Sequence, residues 1–196
     1  MSAAQPPDRI TTTRLVLRCW RPEDAPLLKD AVDSSLEHLR AWMPWASAEP
    51  SDLPTIEARL GRFRDEFAAG RDFLFGIFDL HERAVLGGIG LHPRIAPGAL
   101  EIGYWVRASE TGRGYITEAA RAMTHAALVL PGIARIEIHC DPRNVRSAAV
   151  PRRLGYRHTE TRRDDARDPD GEPRESMIWV MKATELPDAR ALVSDA

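Results

Sequence analysis

Two glycines one residue apart, Gly112 and Gly114, stand where an extended run, LEIGYWV (Leu100 to Val106), gives way to the helical period of TGRGYITEAARAM (Thr111 to Met123). A turn this tight leaves the first backbone N–H groups of the helix without intrahelical partners and pointing outward. Those donors, with the positive end of the helix dipole behind them, favour an anion such as phosphate, and the absence of Cβ atoms lets a ligand approach the backbone. Glycine turns also precede many helices that bind nothing, so the turn alone leaves both readings open. Two familiar phosphate loops are excluded: no Lys-Ser or Lys-Thr follows, as a P-loop requires, and no third glycine completes a dinucleotide fingerprint. A second glycine-rich run, GGIG at Gly87 to Gly90, is followed by Pro93 and not by a helix.

Periodicity on either side embeds the turn in a sheet. Thr13 to Trp20 puts Leu15, Leu17 and Cys19 on one face and reads as a first strand. Pro22-Glu23-Asp24 marks a helix start running to about Asp33, with Ser34-Ser35 placed to cap a short helix ending near Ala41. Ile56, Leu60, Phe63 and Phe67 form the core stripe of a helix from about Asp52 to Ala69, closed by Gly70. Asp72 to Leu80 and Ala84 to Pro93 flank His81-Glu82-Arg83 as a hairpin, and Ala99 to Val106 follows a turn at Pro97-Gly98, so the chain opens with an antiparallel meander. Beyond the glycines, Ile116, Ala119, Ala120, Met123 and Ala127 line a helix ending before Pro131-Gly132, and Ala134 to Cys140 is the next strand. Strand, helix and strand make a right-handed crossover, so the strands ending at Val106 and Cys140 are parallel. Ligands of such a unit bind outside the carboxyl ends of the strands, where the glycine turn also falls. Asn144 can cap a helix from Val145 to Leu154 despite Pro151, and Tyr156 to Arg163 and Glu175 to Lys182 read as strands around the charged loop Arg163 to Arg174, expected to be mobile.

With 196 residues, 43% of them hydrophobic, the chain suits one domain, taken as residues 12–183 between a disordered tail (1–11) and a loose C-terminal tail (184–196). The balance of 27 basic against 29 acidic side chains gives no footprint for nucleic acid or an anionic membrane. The opening MSAAQPPDRI has no apolar signal core, and no run nears the roughly 18 apolar residues of a membrane span, so the expected location is cytoplasmic. Cys19 and Cys140, each in a strand, are expected to be reduced and buried. Neither has a partner at metal-ligand spacing, and no metal is expected.

LEIGYWV, TGRGYITEA and IARIEIHCDPRNVRSAAVPRRLGY (Ile133 to Tyr156), in that order, resemble the GNAT superfamily of acyl-CoA-dependent N-acyltransferases, in particular its RimJ/RimL-like branch. The resemblance runs from about Thr12 to Lys182. It implies an α/β (α+β) fold: a mixed, mainly antiparallel sheet of six to seven strands with one splayed parallel pair, flanked by about four helices. It also implies transfer of acetyl from acetyl-CoA, the co-substrate, to a primary amine on a small molecule or a protein N-terminus, by direct attack and by a monomer or homodimer. Another acyl-CoA, such as succinyl-CoA, is the first alternative, and a GNAT fold that binds acyl-CoA as a sensor or scaffold without turnover is the second.

Carried over residue by residue, the family's turn, Gln/Arg-x-x-Gly-x-Gly/Ala, falls with Thr111 first, Gly114 at the central glycine and Ile116 last; only Gly114 matches strictly. Val106 and the backbone of Thr111, Gly112, Arg113, Gly114, Tyr115 and Ile116 are the expected cofactor cradle. The tyrosine that protonates the departing thiolate in many members falls at Pro151, but the branch's Asn-x-x-Ser is present as Asn144 and Ser147, whose hydroxyl can donate to sulfur or, with Asn144, serve as a helix cap. Arg153 is a further candidate for a cofactor phosphate. Glu101, at the start of the strand before the turn, is the candidate catalytic base or an ordinary strand glutamate, since alternation alone does not say which face it takes. The loop AWMPWASAEP carries Trp42, Met43 and Trp45, which either fold onto the core or line the acceptor pocket that this region borders in the family. His92 and His139 read as structural.

Overall fold

The computed structural model describes residues 5–167 and 173–185. Within these residues eight strands form one sheet in the order β1-β2-β3-β4-β5-β6-β8-β7: β1 Arg9–Thr11, β2 Leu15–Cys19, β3 Phe73–Asp79, β4 Val85–His92, β5 Ala99–Val106, β6 Arg135–Cys140, β7 Arg157–Arg167 and β8 Pro173–Lys182. Among the described residues five α-helices flank it: α1 Ala25–Asp33, α2 Leu36–Arg40, α3 Leu53–Ala68, α4 Tyr115–Leu128 and α5 Val145–Arg153. The sheet therefore exceeds the expected six to seven strands. The addition is β1, three residues too short to show alternation, which pairs with β2 from Arg9–Arg18 to Thr11–Val16. Residues 9–11, assigned from sequence to a disordered tail, are ordered by that pairing, and Arg9 is tied to Glu82 across the sheet at 2.6 Å. The strands of the last hairpin also run further than expected, into the charged stretch Arg163 to Arg174; residues 168–172 lie outside the described residues.

Side-chain alternation divides the interior in two. Leu15, Leu17, Ile89, Leu91, Leu100, Ile102, Ile136 and Ile138 pack with Ala119, Ala120, Met123 and Ala127 of α4 and with Ala148 and Val150 of α5. On the other face Val16, Phe78 and Val85 pack with Ala31 and Val32 of α1, Leu39 of α2, and Ile56 and Leu60 of α3. Strands buried on both faces read as continuous apolar runs, which is why β4 is buried from Val85 to Leu91. Arg18 is among the polar residues buried with it: only 5% exposed, it is held by Asp24 through two bonds of 2.7 Å and by Glu82. A charge so deep persists only when paired. Of the two cysteines, Cys140 is buried and Cys19 half-buried; neither is in a disulfide.

The parallel pair is β5 with β6, paired from Ala99–Arg135 to Ile102–Ile138 and no further. β5 continues to Val106 and β6 to Cys140, so their carboxyl halves splay apart. The amide of Arg107 donates to the Leu86 carbonyl on β4. Backbone groups alternate along a strand, so those of Tyr104 and Val106 face the β6 side, where the ladder has ended.

Candidate active site

The glycine turn sits at this splay. Gly114 occupies the N-cap position of α4 in a left-handed conformation (φ 79°, ψ 2°), with no side-chain cap. Gly112 is left-handed as well, at φ 78°. The amides of Tyr115 and Ile116 thus begin a 14-residue helix without a capping acceptor, and a Cβ built on Gly112 meets nothing within 4 Å. Glu118, in the first turn, would repel an anion there. Its charge is offset by Arg14, whose Nε donates to it at 2.7 Å, while Thr12 donates to its other oxygen at 2.7 Å. Arg14 also donates to the Arg113 carbonyl at 3.0 Å and lies over the Tyr115 ring, 4.8 Å from its centre. A cation therefore stands beside the turn even though Thr111 supplies none; it comes from the bend just before β2, about a hundred residues away in sequence, and no local pattern could announce it. Thr111 caps the preceding turn by donating to the Ala108 carbonyl at 3.0 Å. The Ile116 side chain is partly buried against the core and does not crowd the turn.

On the α4 side of the splay Asn144 accepts from the Ser147 amide at 3.0 Å, so it caps α5. The Ser147 hydroxyl donates to the Tyr104 hydroxyl at 3.2 Å, which in turn donates to the Ser147 carbonyl at 3.0 Å. Burial pushes the Tyr104 hydroxyl's pKa well above the ordinary phenol range, only partly countered by its bond to Ser147. Tyr104 was not singled out from sequence; it shares the α4 face of β5 with Leu100 and Ile102. Arg153 is exposed in the last turn of α5. Val106 pairs with Gly87 at the end of β5, half-buried.

The opposite face of the splay carries the other expected group. Glu101 faces away from α4, with its side chain 12% exposed, and Arg94 grips it through bonds of 2.9 Å and 2.6 Å. Burial would raise its pKa, but the bonds and charge of Arg94, with smaller help from His139 and His92, leave its carboxyl below the usual carboxylate range. It is better suited to hold a positive charge than to accept a proton. Beyond it the sheet has a glycine floor. A Cβ on Gly88 would meet the Trp105 indole nitrogen at 2.4 Å, one on Gly90 the His92 ring at 2.7 Å, and one on Gly103 the same ring at 3.3 Å. Trp105 and His92 therefore lie over the sheet, and Asp72 fixes His92 through Nδ1 at 2.6 Å. Trp45, 39% exposed, meets Trp105 edge to face with ring centres 5.9 Å apart. Met43 instead packs on the α1–α3 core, and the Trp42 carbonyl accepts from Arg174 at 3.2 Å. Trp45 therefore borders this face.

Comparison with known proteins agrees with this geometry. The acetyltransferase (GNAT) domain family matches residues 14–157. The chain is 29% identical over 154 residues to the [ribosomal protein uS5]-alanine N-acetyltransferase of Escherichia coli (strain K12), covering 77% of this chain and 79% of that protein. Among solved structures, the fold is similar to RimL, a ribosomal L7/L12 alpha-N-protein acetyltransferase in complex with coenzyme A, with a TM-score of 0.78 at 23% identity over 89% of this chain and 97% of that one. It is also similar to the microcin C7 self-immunity acetyltransferase MccE in complex with acetyl-CoA and AMP, with a TM-score of 0.81 at 16% identity over 91% and 98%. A two-faced sheet opened at one parallel pair, with an uncapped glycine-led helix at the opening, and a family match across most of the chain lead to one assignment: this chain belongs to the GNAT acetyltransferases, a class of acyl-CoA-dependent N-acyltransferases.

Proposed function

We propose that the protein transfers acetyl from acetyl-CoA to the N-terminal amine of a protein, with ribosomal proteins as the acceptor class, in the cytoplasm. The observation that carries this is the uncapped start of α4 at the splay of β5 and β6. Amides around Gly114 suit the pyrophosphate, and the unladdered backbone groups of Tyr104 and Val106 suit the amides of the pantetheine arm. The thioester then lies in the splay between the hydroxyls of Ser147 and Tyr104 on one face and Glu101 on the other. No acyl-enzyme is needed: the amine attacks the thioester directly, and a thiolate of pKa about 8 to 9 leaves with little more than a hydrogen bond from Ser147. The ribosomal acceptor is supported by the E. coli relative, and a protein terminus suits the opening beside the exposed Trp45.

The test is thiol release from acetyl-CoA with peptides copied from ribosomal protein N-termini, against polyamines, aminoglycosides and free amino acids. Preferential release with the peptides supports the reading, and release only with small amines moves the acceptor class. Binding of CoA without release for any acceptor would leave a sensor. Gly114→Asp, which adds a like charge and a side chain at a left-handed position, should weaken CoA binding at least tenfold by calorimetry, about 1.4 kcal/mol.

A further inference from the structure

Direct attack requires something to take the amine's proton, and the carboxylate expected to do so is clamped by Arg94. Beside it stands an unused pair. His139, on β6 just past Ile138, the last residue paired with β5, turns its Nε2 to Glu137 Oε2 at 2.8 Å and its Nδ1 to Glu101 Oε2 at 3.9 Å. Glu137 is buried, its side chain 8% exposed, and Arg135 holds it at 2.8 Å. A carboxylate only accepts hydrogen bonds, so the neutral imidazole must carry its proton on Nε2, which leaves the lone pair on Nδ1. That nitrogen lies on the face of the sheet opposite α4, beside the glycine floor. A neutral imidazole is a base that works near neutral pH.

We infer that His139 is the catalytic base: Nδ1 takes the proton of the attacking amine, Glu137 is a positioning residue that fixes the tautomer, and Glu101 binds the amine and anchors the positive charge as it forms. This rests on the acetyl-transfer reading above. Two acceptors 3.9 Å apart can each receive one N–H of the same primary amine at about 2.9 Å, leaving its lone pair to face the splay. The amine nitrogen bonds to the thioester carbon, its surplus proton passes to Nδ1, and the carbonyl re-forms as the C–S bond breaks. The thiolate departs with the bonding pair and takes a proton from solvent, to which His139 later returns its own. The other charges around the imidazole fit this role. Arg94 beyond Glu101 and Arg135 beyond Glu137 are each committed to their carboxylates, Glu160 on β7 adds a negative charge within reach while bound to Arg162, and His92 borders Glu101. On β8 the residue paired with His139 is the apolar Ile178.

The experiment compares His139→Gln, Glu137→Gln and Glu101→Gln in the full chain, with an Ala-initiated peptide as acceptor and thiol release as readout. His139→Gln keeps a donor for Glu137 but has no basic nitrogen. It should lower kcat by about a hundredfold or more with the Kd for acetyl-CoA within twofold, and the deficit should shrink as pH approaches the amine's own pKa of about 8. A merely structural histidine would give a loss that does not depend on pH. Glu137→Gln, whose amide can donate to Nε2 and release the tautomer, should cost about tenfold in kcat, and it serves if His139→Gln does not fold. Glu101→Gln should raise KM and retain the fall in rate at low pH. Wild-type kcat in His139→Gln, or transfer of the pH dependence to Glu101, would overturn the assignment. Long-range 1H–15N NMR decides the tautomer without turnover: a proton on Nδ1 in the neutral form overturns the inference even for a wild type that releases no thiol, an outcome that by itself would sink only the acetyl-transfer reading.

Discussion

Arg94 and Glu101 show how one pairing sets a residue's chemistry. Because the folded carboxyl is held below its unfolded value, its contribution to stability is complete above about pH 4.5 and disappears as pH falls through the folded pKa. Removing the guanidinium with Arg94→Met leaves burial, the largest influence, opposed only by the two histidines, so the carboxyl should titrate higher and the dependence should reverse. Breaking a fully buried pair costs about 3 to 5 kcal/mol, but Arg94 is 60% exposed, so about 1 to 2 kcal/mol is expected at pH 7, with the deficit shrinking toward pH 4 in urea titrations. Glu101 could be named from LEIGYWV, but its face and its partner could not. Both faces of β5 are covered, so apolar alternation had no polar side against which to set the register, and Arg94 lies in the irregular turn after β4, where no period operates. The same holds for Ser35. It stands at the N-cap of α2 as its sequence position suggests, yet its hydroxyl accepts from the Ala108 amide at 3.0 Å and so pins the end of β5 to the helical layer.

Elements were easiest to read where a strong period met a strong stop. The α3 stripe ends at Gly70, which is left-handed at φ 69°, and α4 begins after two left-handed glycines. The Trp-bearing loop has no period, and whether Met43 meets the core and Trp45 meets Trp105 depends on details of a 3-10 turn, Pro44–Ala48, that composition does not encode. Trp45 meets Trp105 edge to face above Gly88, so two indoles stand over a bare patch of β4, and in the function proposed above they would form the acceptor wall. Trp45→Ala should therefore raise the acceptor's KM several-fold and leave CoA affinity unchanged, with a stability loss of about 1 kcal/mol in place of the 3 to 5 typical of a buried tryptophan. A large fall in Tm with an unchanged KM would return Trp45 to the core.

At the scale of the molecule, the meander, the crossover and the placing of the glycine turn at the carboxyl ends of β5 and β6 were all open to sequence reasoning, because parallel strands need a crossover and helices need a covered stripe. β1 was not, since three residues held by a partner's ladder carry no signal of their own. The splay has a further consequence. Among the described residues, β6, β8 and β7 join the rest of the sheet through only the four residue pairs from Ala99–Arg135 to Ile102–Ile138. Local openings follow such seams, so the amides of β6 and β8 should exchange with deuterium as a cooperative unit of their own, opening at lower free energy than β2 to β4. A donor lying in the splay would bond to both banks of the seam. Acetyl-CoA should then slow exchange in β6 and β8 more than in β2 and β3, and uniform slowing across the sheet would mean that the two halves already open together. The gap that admits the substrate would be the place where the empty enzyme is least one piece, and each turnover would fasten and release it.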